Sequence, residues 1–491
     1  MASTEHLIAL DMGTTSTKGL LYAIDRGIVS TCTREYQTYF PSPGRAEQDP
    51  DEVLDAVIGV VRDLVAQGDV RPVTIKALVF GGILHSIIPI RGDGRPLNRA
   101  LIWADVRGTE QCDRLRGRLD TRELLARTGC PLQPLYFLPR LRWFGEESPG
   151  IFESASRFIS IKEYVLHRLY GEYLVDRSTA SGTGLMNTHT LDWDDELLRE
   201  AGIVRERLSP IVDTDYRLEK LRGGMARRMG LNPHTPGIAG ASDGPLAHLG
   251  SIGFDPSRMS LTVGTSAALR RLIPEPAVLP GTEAWCYYMT EGAWLLGGVV
   301  HDAGNAIQWF AEHFLDGKGE GFFQLLDRAR KTVPPGSEGL FFLPFMSGER
   351  SPFYNPSTSS AVIGMRFSHG KEHLVRALVE GIAYRIRSAY DAIDAARSPD
   401  LVVTGGILRS DSWLQITADL LGKRLLRAGV RFASAYGAVL VALRALGVIG
   451  SPQELQQYVK PGNAVEYDTE HHGLYEELLP LYDEYYTKLF T

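Results

Sequence analysis

The sequence predicts an α/β fold arranged as two domains on one plan. Three observations carry this. Strand-like and helix-like segments alternate from the first residues onward. The 491 residues exceed what one ordinary core holds. A strand–turn–strand pattern near the start, "ALDMGTTSTKGLL", returns near the middle as "SLTVGTSAALRRL".

The elements follow in order. "LIALDMG" and "GLLYAI" are strands around a Gly-Thr-Thr turn. "PDEVLDAVIGVVRDLVAQG" carries apolar residues at helical spacing, with Asp49 or Asp51 as its cap. "IKALVFGG" is a strand entering glycines, and "RGDGRP" is a hairpin turn. "WADVR" reads as extended, which puts Trp103, Asp105 and Arg107 on one face. "HDAGNAIQWF" opens a helix, and "VVTGGILRSDSWLQITADLLG" is a strand, a diglycine and an amphipathic helix. "GAVLVALRALGVIG" is a buried helix interrupted by Arg444 rather than a membrane span. The repeat places the join near residues 244–256, giving domains 1–245 and 246–491.

Composition narrows the classes. The chain is 44% apolar and 23% charged, with a net charge of -7. This gives no reason to expect nucleic acid or a membrane as partner. Cys32, Cys112, Cys130 and Cys286 are scattered without a CxxC pair, so neither a zinc site nor a disulfide frame is expected. The N-terminus lacks a basic and then apolar leader, and a cytoplasmic protein is expected.

The two turns have a chemical use. Glycine lets backbone N–H groups approach an anion, and hydroxyls add donors. Two such loops facing each other would hold a phosphate chain, and Asp11 before the first would serve Mg²⁺ or its waters. Walker, dinucleotide and HExxH signatures are absent. "GASDGP" supports two readings. As G-x-S-x-G it makes Ser242 a hydrolase nucleophile with His301 as a candidate base. Alternatively Asp243 is a general base that takes a proton from a hydroxyl attacking phosphorus. Trp103, Asp105 and Arg107 offer a polyol an aromatic face, a carboxylate and a cation. Gly405 and Gly406 allow close approach of a base or ribose, and "MSGERSPFYNP" is a candidate ligand loop.

In order and over nearly the whole chain, these segments resemble the FGGY family of carbohydrate kinases. "ALDMGTTSTKG" and "LTVGTSAA" are similar to its two phosphate loops, "IWADVRG" to its sugar-binding strand and "GASDGP" to its catalytic segment. "GERSPFYNP" and "TGGILRSDSWLQITADLLG" resemble its G-E-R-x-P loop and adenosine signature. The resemblance implies two RNase H-like, actin/hexokinase-type domains with a catalytic cleft between them, and Mg²⁺ and ATP as cofactors. It implies Asp243 as the base, and Asp11 with Asp243 at the metal. Thr14, Thr15, Ser16, Lys18, Gly264 and Thr265 would lie along the phosphates, and Gly405, Gly406 and Ser410 at the adenosine. His85-Ser86 followed by "IIPI" is similar to the gluconate-phosphorylating branch, which implies D-gluconate as substrate with His85, Ser86, Trp103, Asp105, Arg107, Lys162 and Asp243 around it. Arg107 and Lys162 would receive the carboxylate. A xylulokinase or another ketopentose or polyol kinase is the alternative. A Ser242 hydrolase and an idle ATP-binding sensor are the remoter ones, and a homodimer is left open. Phe432 stands where the family carries an acid, and Ile83-Leu84 departs from the branch's smaller residues or Met.

Overall fold

The computed structural model describes residues 4–315, 319–393, 398 and 400–490. Two sheets organise them. In the first, the order is Arg217–Leu218, Gly237–Ile238, Ile75–Gly82, His6–Met12, Ser16–Ala23, Gly27–Glu35. In the second it is Trp285–Thr290, Ala293–Val300, Ala267–Ile273, Met259–Val263, Asp400–Gly405, Arg424–Arg427, Ala464–Val465.

The repeat seen in the sequence is a repeat of topology. From Gly27–Glu35 across the first sheet, successive pairings are antiparallel, antiparallel, parallel, parallel, antiparallel. From Ala293–Val300 across the second, they run the same way. In the first hairpin Asp11 lies opposite Lys18 and level with Gly81 of the parallel neighbour. In the second, the equivalent Thr262 lies opposite Ala268 and level with Thr404.

Helix Pro50–Gln67 is capped by Asp49, whose carboxylate accepts the Asp51 N–H at 2.9 Å. It buries Val53, Val57, Val60 and Leu64 against the first hairpin. Each such side chain contributes roughly 1.5–3 kcal/mol of burial. The opposite face of that sheet is covered from the other half of the chain. Helix Ala433–Ala445 packs on strands His6–Met12 and Ile75–Gly82, while helix Asp243–Ile252 packs on Met259–Val263 and Asp400–Gly405. The two helices cross closely enough that a Cβ at Gly250 would come within 1.9 Å of the Ala433 carbonyl, and one at Gly437 within 2.0 Å of Leu246 O. Leu7, Ala9, Val79, Leu246, Val439 and Leu443 share the resulting core. This exchange brings the end of the Asp11 strand and the N-termini of both helices to one place. Helix Asp243–Ile252 continues unbroken through residues 245 and 246, where the sequence suggests dividing the chain.

One expected element is absent. Extended pairing stops at Ala100–Leu101, and residues 103–107 form turns rather than a strand. The Asp105 carboxylate accepts the Arg107 backbone N–H at 3.2 Å, a local bond that competes with extension. All four cysteines are free thiols. Among the described residues no helix is long and apolar enough to cross a membrane.

Candidate active site

Asp11 is buried at the end of its strand, and its Oδ1 has no hydrogen-bond partner. Burial and the nearby Asp243 carboxylate raise it to about 6, while Lys18 and the Ser434 hydroxyl pull the other way. Ser434 comes from the helix supplied by the second half, where Phe432 takes the N-cap position without a side-chain cap and packs into the shared core.

The first loop is pinned from behind. The Gly13 N–H donates to Ser16 O at 3.0 Å, which closes the turn. The Gly13 carbonyl accepts the Tyr36 hydroxyl at 2.7 Å, Thr14 O accepts Thr38 Oγ1 at 2.9 Å and also Gln48, and Thr15 O accepts the Tyr36 N–H at 3.1 Å. With its carbonyls engaged, the loop is held for its amides and hydroxyls to meet an anion. Trp103 Nε1 donates to Thr14 Oγ1 at 3.0 Å, so Trp103 joins this loop directly. Thr15 is exposed, Thr14 and Lys18 are half-buried, and Ser16 is buried.

The second loop is held by a helix start. Gly264 O accepts the Gly304 N–H at 2.9 Å, and Thr265 O accepts the Ala303 and Asn305 amides at 3.2 and 3.1 Å. Gly405 adopts φ +93, and a Cβ there would meet Val263 O at 2.3 Å, so only glycine fits against this strand. Gly264, Thr265, Gly304 and Gly406 border a cavity of about 530 Å³ whose walls include Ile307, Gln308, Phe323, Arg409 and Trp413. That is room for a nucleoside. Ser410, expected at this site, is buried and caps helix Asp411–Leu421 by accepting the Trp413 N–H at 3.2 Å; its role here is to start the helix.

Asp243 opens its helix, where the dipole favours a negative charge. Burial raises its carboxyl above the usual range, against the Arg270 guanidinium and the amides of Gly244 and Leu84. Arg270 donates to Thr262 Oγ1 at 2.9 Å, and its Nε has no partner. It lies on the return strand of the second hairpin, Ala267–Ile273, eight residues after Thr262, and sequence reasoning passes over it within the repeated stretch. Ser242 is fully buried and bonded to Ser178 Oγ at 2.9 Å. His301 instead contacts Ser347 O, and burial and Arg350 lower it to about 4. A buried, hydrogen-bonded hydroxyl without a base is not a nucleophile, which removes the hydrolase reading.

Next to Leu84, whose amide meets Asp243, the interior is aromatic. His85 adopts φ 63, and its Nδ1 lies 2.9 Å from Gly182 O. Its ring meets Tyr136 and Tyr287 at centroid distances of 5.1 and 6.0 Å, and their hydroxyls bond to each other at 2.7 Å. Burial, then Arg350 and Arg140, push His85 well below its ordinary value, so the imidazole is neutral. Tyr136 and Tyr287 carry no local sequence signal that places them here, whereas Arg350 belongs to the "GERSPFYNP" loop.

Four expected substrate contacts are already committed inside the protein. Arg107 donates to Asp105 at 2.8 and 2.7 Å and to Glu47 at 2.6 Å, with its guanidinium 4.9 Å from the Trp143 ring. Asp105, 0% exposed, also accepts the Ala46 N–H. Lys162 Nζ donates to Asp176 at 2.7 Å and to Ala241 O at 3.1 Å, fully buried. Ser86 Oγ accepts the Ile161 N–H at 3.1 Å. A paired and buried charge is costly to redirect to a ligand.

Residues 6–250 match the N-terminal domain, and residues 259–446 the C-terminal domain, of the FGGY family of carbohydrate kinases. A gluconokinase of Bacillus subtilis (strain 168) is 33% identical over 458 residues, 91% of this chain and 89% of its own. The crystal structure of gluconate kinase from Lactobacillus acidophilus superposes with a TM-score of 0.93 at 29% identity, covering 100% of this chain and 99% of that one. A ligand-bound xylulose kinase from the same organism gives 0.92 at 30% identity, covering 99% and 98%. The chain belongs to the FGGY family of carbohydrate kinases, an α/β kinase of the actin/hexokinase-like fold.

Proposed function

We propose that this carbohydrate kinase transfers the γ-phosphoryl group of ATP to D-gluconate, giving 6-phospho-D-gluconate and ADP, in the cytoplasm. The observation that carries the reading is the approach of Asp11 to Asp243 at the end of the first loop's strand, with the second loop bordering a nucleoside-sized cavity. The similarity to gluconokinases over nine-tenths of the chain supports the acceptor.

In this reading the Gly13–Thr15 and Gly264–Thr265 amides and hydroxyls hold the phosphates from two sides, and the cavity at Gly406 and Trp413 takes the adenosine. The substrate's terminal hydroxyl lies against Asp243. As its oxygen forms a bond to phosphorus, the Asp243 carboxylate takes its proton and ADP leaves with the bonding electrons. Arg270 works against the burial that raises the Asp243 carboxyl. The unpartnered Asp11 Oδ1 beside a second carboxylate fits a hard divalent cation sharing phosphate oxygens. Held chiefly by Asp11, Mg²⁺ would supply neutralisation of phosphate charge. Domain limits of 1–245 and 246–491 remain our proposal for the two halves.

Phosphorylation of D-xylulose is the second reading, supported by the xylulose kinase superposition. ADP release from Mg-ATP with gluconate, D-xylulose, ribuloses, glycerol and erythritol separates the two. Turnover highest with gluconate is expected, and a clear preference for a ketopentose would replace it.

A further inference from the structure

We propose that Arg140 is a positioning residue that holds the turn carrying Trp103 and the turn carrying His85 on one guanidinium, and so sets the phosphate side and the acceptor side of the site together. This rests on the reading above, in which the first loop holds ATP and Asp243 meets the acceptor.

Arg140 lies in helix Phe137–Glu147 and is 0% exposed. The nearby Asp105 carboxylate is taken by Arg107. The Arg140 guanidinium donates instead to three main-chain carbonyls. Nη1 donates to His85 O, and Nη2 donates to Ile102 O and, at 3.0 Å, to Asp105 O. Burial lowers the group only to about 10, so the cation persists near neutral pH. A buried charge has to be compensated, and carbonyl dipoles do so here.

Two of the acceptors are the ends of one turn. The Asp105 N–H donates to Ile102 O at 2.9 Å, which closes residues 102–105 around Trp103 and Ala104. By holding both end carbonyls, Nη2 fixes the direction in which Trp103 leaves the turn. Trp103 then reaches Thr14 of the first loop, its Nε1 donating to Oγ1 at 3.0 Å.

The third acceptor belongs to a strained residue. His85 has φ 63, a region that side chains with a β-carbon disfavour. Arg140 holds its carbonyl, and Gly182 O lies 2.9 Å from its Nδ1. Tyr136, one helical turn before Arg140, packs its ring on the same imidazole. The His85 turn itself is anchored beside both acids. Gly82, which leads into it, is bridged to Ser242, the residue before Asp243. The Ile83 N–H donates at 2.8 Å to the carbonyl of Met12, the residue after Asp11. One planar fork therefore reaches carbonyls in two directions, which the single charged point of a lysine does not.

The test is a double-mutant cycle by steady-state kinetics: wild type, Arg140→Met, Trp103→Phe and the double variant. Mg-ATP is the donor, and the acceptor is whichever of D-gluconate and D-xylulose wild type turns over faster. Each single variant is expected to raise the Mg-ATP KM, by no more than roughly tenfold. The double variant should raise it no further than the larger single effect, because both changes act through the same bond to Thr14. The acceptor KM should rise up to about tenfold in Arg140→Met and stay within about twofold in Trp103→Phe. Should Arg140→Met not fold, Arg140→Lys enters the same cycle with the same pattern expected at smaller size. ATP effects that multiply in the double variant, an ATP KM raised by only one of the two single variants, or an acceptor KM unchanged in Arg140→Met would overturn the assignment while leaving the kinase reading. An ATP KM unchanged in both single variants would count against the first loop as the phosphate site, and the assignment would fall with it.

Discussion

The two hairpins occupy the same place in their sheets, yet position 11 of the first is an aspartate and its counterpart in the second, 262, is a threonine. The first loop ends a strand on a buried carboxylate with an unpartnered oxygen. At the matching point of the second, Thr262 Oγ1 accepts from Arg270 and Thr404 at 2.9 Å each, and every charge there is positive or absent. The duplicated frame therefore carries an asymmetric charge pattern. Acids from the first half, Asp11 and Asp243, face a cation from the second, Arg270. In the proposed reading, a phosphate chain held between the loops would meet the Asp11 carboxylate on one side and the Arg270 guanidinium on the other. The lesson is that duplication supplies two anion cradles, and single substitutions within them divide the chemistry.

The largest break in this pattern is predicted at Asp243. Asp243→Asn keeps the shape but cannot take a proton, and turnover should fall roughly 10²–10⁴-fold with little change in KM for either substrate. Near-full turnover in steady-state ADP release would remove Asp243 as the base.

Asp11→Asn comes next and should move activity and stability in opposite directions. The folded carboxyl sits at about 6 against an ordinary 3.8, so the native state binds its proton more readily than the unfolded chain. That contribution to stability is fully present below about pH 4 and is lost as the pH rises through 6. Without metal or nucleotide, wild type should lose on the order of 2 kcal/mol over that window from this group. Asp11→Asn should lose much less there, unfold at higher urea at pH 7.5, and show little response of turnover to Mg²⁺. Urea titrations at pH 4.5 and 7.5, with a Mg²⁺ titration of rate, check both halves of the prediction.

A sharper probe is Arg270→Gln. Removing the cation raises the Asp243 carboxyl further, so the acid limb of the pH–rate profile should shift to higher pH, with activity lost earlier as the pH falls. An unmoved limb would separate Arg270 from Asp243. The smallest effect is expected for Trp103→Phe. It deletes the bond to Thr14, worth about 0.5–1.5 kcal/mol, and should raise the ATP KM by no more than roughly tenfold.

The hairpins, their repeat and the place of Asp243 were legible because each is written locally, as an apolar run closed by glycine and hydroxyl residues. The cap at Asp49 was legible for the same reason. Pairing of charges was not. Arg107 finds Glu47 across 60 positions, and Lys162 finds Asp176 across a helix, so both cations looked available while the fold had committed them. Trp103 reads from the sequence as part of an extended face, while the structure bonds its Nε1 to Thr14 of the first loop, because residues 103–107 turn around Asp105 rather than extending. Arg270 is missed for the complementary reason. Its importance lies in the Asp243 carboxylate it faces, a property of the packed interior.

The most direct measurement of the central claim is the initial rate of ADP release by wild type with Mg-ATP and D-gluconate, set against the same enzyme with D-xylulose. The account predicts gluconate-dependent turnover with kcat/KM well above that for D-xylulose. Higher kcat/KM for D-xylulose, or no gluconate-dependent release, would contradict it.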